Sequence, residues 1–281
     1  MNTRPVTGPP PELLYRPRVR LGPALRAVWR ARQLVRTLAE RELRARYKQA
    51  VLGFVWAIVT PLAMVAAFTL FLNRFARVPT QGVPYPLFAY VGLLPWSFFS
   101  SSIAGGGGSL LANNSLLNKV YCPREVFPIA SVAVAGIDSA TALLAMGAMF
   151  LVYGVGPTAQ TVWVPVLLAV QVAFTLGLTF IFSSAIVYVR DVRHAMSLIL
   201  QFGLFVTPVA YGIEMVPERL RPWYAAVNPL APVIDGYRRT ILFGKAPQWA
   251  LLGPGALTAA VVLVGGYLLF KRLEGGLADV A

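Results

Sequence analysis

The 281 residues are 57% apolar and only 13% charged, with a mean hydropathy of +0.64, whereas a soluble domain carries about a quarter charged residues. A water-facing globule, a collagen-like rod, a disordered chain and a disulfide-stapled fold are excluded, the last because Cys122 is the sole cysteine. The net charge of +14 would suggest nucleic acid on a soluble face, but 12 of the 25 Lys and Arg precede the first apolar stretch, where they meet anionic headgroups, so no nucleic-acid partner is expected.

Residues 1–29, rich in Pro and Arg, read as a flexible basic N-terminal tail. The apolar chain starts near residue 50 and not behind a short basic start, so no cleavable signal is evident. Residues 30–48 put Leu34, Val35, Leu38 and Ala39 on one helical face and set Glu40/Arg44 and Glu42/Arg46 four apart, the pattern of an amphipathic helix lying at a membrane surface.

A spanning helix needs about 20 apolar residues, and residues 49–273 supply six charge-poor stretches, at about 51–73, 86–110, 126–153, 161–188, 195–213 and 249–270. The fifth is short and holds Thr207-Pro208, where the proline removes a donor and predicts a kink. Residues 216–244 are too polar for a span and too apolar for a solvated loop, which leaves a re-entrant helix pair or an interfacial hairpin lying flat on Trp223, Tyr224 and Trp249. Residues 274–281 form a C-terminal tail. The expected fold is thus an all-α integral membrane protein. With six spans, 18 Lys and Arg share the side of both termini against 7 on the other, which puts both termini in the cytoplasm.

Little in the chain supports chemistry of its own. His194 is the single histidine, no Gly-rich loop ends in a Lys, and the acids Glu40 and Glu42 each face an arginine, so no catalytic residue, metal site or cofactor is expected. Gly105–Gly108 suits close helix approach or unwinding at the end of the second span. Asp138 is the only acid within a span and is either a pathway or hinge residue or a carboxyl held by Ser139, Thr141 or a neighbouring helix. Two cytoplasmic turns carry charge beside each other. NNSLLNKVYCPREVFP ends a short helix and restarts another at Arg124-Glu125, and YVRDVRH packs Arg190, Asp191 and Arg193 together.

With those turns the chain resembles the membrane subunits of bacterial ABC exporters for polysaccharides, the type-2 permeases that move O-antigen, capsule or teichoic acid. The resemblance lies in RELRARYKQAVLGFVWAIVTPL at 41–62, NNSLLNKVYCPREVFPIA at 113–130, YVRDVRHAMSLILQFGLFVTPVAYG at 188–212, VPERLRPWYAAVNPLAPVIDGYRRTIL at 216–242 and FKRLEGGLADV at 270–280. It implies a homodimer in the bacterial plasma (inner) membrane with two ATPase subunits, which hold ATP and Mg, on its cytoplasmic face. It assigns the stretch around 115–125 as the coupling helix, so that Asn118, Lys119, Tyr121, Pro123, Arg124 and Glu125, with Arg190, Asp191 and Arg193, would meet the ATPase. It also implies that 30–48 is the interface helix, where Arg41, Arg44, Arg46 and Lys48 would attract a lipid-linked phosphate, and that 216–244 closes the external mouth. A lipid-linked polysaccharide is the expected cargo and membrane lipids are further partners. Because sugars stack on aromatic faces, Trp56, Tyr90, Trp96, Phe98, Phe202, Phe205 and Tyr211 are candidates to line the conduit. Two alternatives stand beside this reading: a related permease for drugs or small lipids, and a membrane enzyme acting on polyprenyl-phosphate lipids.

Overall fold

Apolar runs without competing polar side chains leave the backbone one way to satisfy its own donors and acceptors away from water, the helix. A computed structural model of the protein describes residues 21–48, 53–71, 78–117, 122–156 and 158–274, and among these residues no strand occurs. Helix α1 (Leu21–Arg30) and α2 (Arg32–Tyr47) are followed by a 3-10 turn at Gly53–Val55 and α3 (Trp56–Phe68). Then come α4 (Tyr85–Ala112), α5 (Asn114–Leu117), α6 (Val126–Tyr153), α7 (Val164–Tyr188) and α8 (Val192–Val206). The short α9 (Arg221–Val227) and α10 (Leu230–Ile241) precede the final helix, α11 (Trp249–Glu274). Four helices, α4, α6, α7 with its leading turn and α11, are long and apolar enough to cross a membrane, while α3 and α8 are apolar but shorter.

Two outcomes differ from the sequence reading. Part of the stretch read as flexible tail is helical, as α1: Pro23 falls in the first turn, where a missing donor is harmless, and Val28 and Trp29 recur at helical spacing with Leu25. The fifth apolar stretch ends rather than kinks, because the residue before a proline is driven from helical to extended backbone and Thr207 takes φ −81 and ψ 140. That leaves α8 with 15 residues, about 22 Å against a hydrocarbon core of about 30 Å. Of the two roles read for Gly105–Gly108, the structure shows close helix approach and not unwinding. The run stays inside α4, where a Cβ on Gly107 would fall 2.8 Å from Met196 Sδ and one on Gly106 would overlap Thr179.

Helix α4 is the centre of the bundle. Leu87, Ala89 and Tyr90 are wholly buried in it, Phe99 stacks on Phe174 of α7 at 5.7 Å, and Tyr90 donates to the Ala142 carbonyl of α6 at 2.8 Å. The region 216–244 forms two short helices, as expected, packed across the N-terminal end of α11 through Ala225, Ala231 and Leu251.

Candidate functional site

The C-terminal ends of α4, α7 and α11 and the start of α6 meet at one end of the bundle. Asn118, Lys119 and Tyr121 lie outside the described residues. Pro123, Arg124 and Glu125 form the turn that starts α6. Arg124 and Glu125, expected to meet the ATPase, both turn toward α11. Arg124 Nη1 donates to the Glu274 carbonyl at 2.9 Å. Glu125 is 0% exposed, and its Oε1 takes the Lys271 ammonium at 2.5 Å and the Tyr267 hydroxyl at 3.1 Å. A carboxylate at the start of a chain turn reads from sequence as a surface group, and only its partner on α11 makes burial tolerable. Lys271 and Tyr267 were missed by sequence reasoning. The one available signal was the Lys271/Glu274 pair three residues apart at the end of a span. Arg190, Asp191 and Arg193 remain exposed on the adjacent α7–α8 turn. Cys122, just before Pro123, is half-buried, and burial, with the Glu125 charge, pushes its thiol up from the usual range while Arg124 opposes the shift.

Helix α2 climbs along α6 from this end. Leu38 and Ala39 bury their apolar faces with Val126, Phe127, Ala130 and Val134, and polar rungs follow. Glu42 accepts from Ser131 Oγ at 3.1 Å, Arg46 meets Asp138 at 2.5 Å and Glu42 at 3.3 Å, and the Tyr47 hydroxyl donates to Asp138 at 2.7 Å. Asp138 is therefore held by a neighbouring helix, and its charge is matched by Arg46 in the chain itself. The four cations expected to await a phosphate are unequal: Arg46 is engaged by two carboxylates, Arg41 donates to Asn113, Arg44 lies 3.7 Å from Glu40, and Lys48 is exposed.

Above Asp138 a cavity of about 520 Å³ opens between α2, α3, α4 and α6, lined by Trp56, Trp96, Ser97, Ser100, Ser101 and Ser139 among others. The seven aromatics do not share one surface. Trp56 and Trp96 face this cavity, and Trp96 also packs on α8 at Gly203. Phe202 and Phe205, each 65% exposed, stand on the outer face of α8. Tyr211 donates to the Phe205 and Val206 carbonyls at 3.0 and 2.9 Å and so closes the end of α8. Tyr90 is buried inside the chain and Phe98 packs with Val132 and Ala135 on the other side of α4.

At the opposite end lies a residue the sequence placed on the outer surface. Arg238 of α10 is 2% exposed. Its guanidinium donates to the carbonyls of Pro208 at 2.8 Å, Tyr211 at 2.7 Å, Phe88 at 3.2 Å and Val209, and it lies 3.8 Å from the centre of the Phe88 ring. The carbonyls of Pro208, Val209 and Tyr211 follow the end of α8, beyond the reach of helical partners, and the planar five-donor fork supplies them. Arg238 thus drops out of the cations facing water on that side. Asn228 Nδ2 adds a bond to Thr207 Oγ1 at 2.9 Å, and Tyr224 donates to the Val206 carbonyl.

Residues 33–242 match the ABC-2 type transporter family. The chain is similar to the O-antigen export system permease protein RfbA of Myxococcus xanthus, with 32% identity over 257 residues, 91% of this chain and 98% of that protein. It is 30% identical to the RfbA permease of Klebsiella pneumoniae over 250 residues, 88% and 94% of the two chains. The polysialic acid transport protein KpsM of Escherichia coli is 24% identical over 246 residues, 85% and 93% of the two chains. With its family match covering most of its length and its apolar helices crossing one bundle, this multi-pass membrane chain belongs to the ABC-2 type transporter family, as a transport subunit rather than an enzyme.

Proposed function

We propose that the chain is the channel-forming half of an ATP-driven exporter that carries a lipid-linked polysaccharide, of the O-antigen, capsule or teichoic-acid kind, out across the bacterial plasma membrane. The observation that carries this reading is similarity along 93–98% of the length of proteins named for O-antigen export and polysialic acid transport. In this reading α3 and α8 complete six spans, α9 and α10 form the re-entrant pair at the external mouth, and both termini are cytoplasmic. Two copies enclose the conduit, and two copies of a separate ATPase subunit, which hold ATP and Mg, dock on residues 115–125 and 190–193.

The geometry supports the pairing. Leu198, Ile199, Phe202, Phe205 and Val206 recur on one face of α8 and are each more than half exposed in the single chain. With Trp56 at 49% exposure on α3, they give a second copy an apolar wall whose aromatic faces can stack on sugar rings without binding any one strongly. Trp56, Trp96, Phe202, Phe205 and Tyr211 are the conduit aromatics retained by this reading, and Tyr90 and Phe98 serve packing. Arg41, Arg44 and Lys48 keep the role of attracting the lipid-linked phosphate, while Arg46 serves the docking of α2.

Deleting the chain from its host is expected to remove the surface polysaccharide and to leave lipid-linked polymer inside the cell, with restoration by the wild-type chain. Undiminished surface polymer in the deletion strain would refute the reading. In the restored strain, Phe202→Ala with Phe205→Ala should lower export well below the level of a Leu257→Ala control, whose side chain is exposed on α11.

A further inference from the structure

A carboxylate removed from solvent is costly unless its lone pairs are matched. At Glu125 the match is incomplete: Oε1 holds both Lys271 and Tyr267, while the buried Oε2 has no hydrogen-bond partner among the described residues. The same Lys271 ammonium also reaches Glu274 at 2.6 Å, Arg124 holds the Glu274 carbonyl, and the Tyr188 hydroxyl at the end of α7 holds the Leu273 carbonyl at 2.7 Å. Among the described residues, the side-chain bonds of Arg124 and Glu125 thus lead to the last two turns of α11 and not to the charged turn at 190–193.

From there α11 is bound rigidly upward. Its Tyr267 and Phe270 rings pack on Phe180 at 5.5 and 5.3 Å. One turn further along, Gly177 of α7 comes so close that a Cβ there would fall 2.5 Å from the Val262 carbonyl oxygen, a backbone contact that leaves no side chain to absorb movement. No proline interrupts residues 255–274, a run of about 30 Å. At the far end Leu251 is buried with Ile213, Ala225 and Ala231, and a Cβ on Gly255 would lie 2.9 Å from Pro232 Cγ. One helix therefore touches the turn before α6 at one end and the α9–α10 hairpin at the other.

We propose that α11 is the strut that carries displacement of the Arg124-Glu125 turn to the hairpin, with Lys271 and Tyr267 as the positioning residues that hold Glu125 in its lower end. The half-matched carboxylate suits such a joint, since the contact can shift between partners without unfolding a helix. The inference rests on the reading that the ATPase docks at this turn and that the hairpin closes the opposite mouth.

The test uses the full chain in complex with its ATPase subunits, in a Cys122→Ser background with Val227→Cys as a probe, since Val227 at the end of α9 is 81% exposed. Maleimide labelling of the probe should change at least threefold when ATP and Mg are added. Lys271→Gln and Tyr267→Phe should each abolish that change while the ATPase still binds nucleotide, and Lys271→Arg should retain it. A purely stabilising role would lower folded yield without altering the ratio of labelling rates with and without nucleotide. Tyr267→Phe keeps its ring on Phe180 and removes only the hydroxyl, so the test survives misfolding of the other variant. A nucleotide response that persists in both variants, or that is absent from the parent, would overturn the strut. Polymer export by the same parent separates the two readings: export with an unaltered response in the variants removes the strut alone, and a strut-dependent response without polymer export removes the polysaccharide.

Discussion

Two cations, the buried Arg238 and the half-buried Lys271, sit at opposite ends of the molecule and are held in unlike ways. Arg238 is fixed by a planar fork to four backbone carbonyls and by the Phe88 ring. Lys271 is a point charge on a flexible stem, 16% exposed in its side chain, resting between the Glu125 and Glu274 carboxylates. Three of the carbonyls around Arg238, those of Pro208, Val209 and Tyr211, belong to the irregular backbone after α8, so losing the fork strands several dipoles at once. The carboxylates around Lys271 can exchange one charged partner for another. In the strut proposed above, the α6–α11 contact is the joint that yields while the fixed joint is Arg238, which ties the hairpin firmly to the backbone leaving α8, a difference that suits an ammonium point charge and a rigid guanidinium fork.

The largest expected effect tests the fixed joint. Arg238→Ala should destabilise the protein by about 3–5 kcal/mol, the range for stripping one side of a buried polar contact, and should lower its melting temperature and membrane yield. Arg238→Lys should recover only part of this, because one ammonium cannot reach four carbonyls in a plane. Equal melting of Arg238→Lys and wild type would erase the contrast between the joints.

The link between the joints comes next. Gly177→Ala should cost about 1–3 kcal/mol through backbone displacement at the α7–α11 contact, whereas Gly147→Ala, with nothing within 4 Å of its Cβ position, should be neutral or stabilising by about 1 kcal/mol. Thermal melts of the two variants in one detergent give the comparison. The Arg46–Asp138 pair, 37% and 17% exposed in its side chains, is a weaker contact than either joint. Asp138→Asn should cost about 1 kcal/mol, and a loss as large as that of Arg238→Ala would show that the seam between α2 and α6 is a third joint of equal weight.

The smallest effect is at Cys122. Because burial raises its thiol pKa, maleimide labelling near pH 7.5 should be slower than that of an exposed thiol. It should rise about tenfold per pH unit while the pH stays below the pKa. Arg124→Gln removes the cation that favours the thiolate and should slow labelling further at fixed pH. Faster labelling in that variant would mean that the turn had opened rather than lost a charge.

Much of this architecture was legible in the residues. Charge-free intervals bounded by Arg, Lys and Gly-Pro placed α4, α6, α7 and α11 to within a few residues, because a long apolar run away from water has no alternative to the helix. The prolines at 217, 222, 229 and 232 announced that the following stretch would break into short helices. Side-chain destinations were harder. Glu125 reads as an exposed turn residue and Arg238 as an outward cation, since charge normally seeks water. Nothing local to either residue names the Lys271 ammonium, 146 positions away, or the carbonyls left by Pro208.

By itself, then, the sequence determined that the chain lies in a membrane, where its four long apolar helices run, and which stretch breaks into short helices, because these follow from hydropathy and from the missing donor of proline. The tertiary structure alone decided which charges face inward, that Asp138 is neutralised by Arg46 of α2, and that the seven aromatics divide among a cavity, an outer face and the core. The physical reason is that burying a charge or an indole depends on a partner brought near by folding, and a partner many turns distant leaves no trace in local spacing.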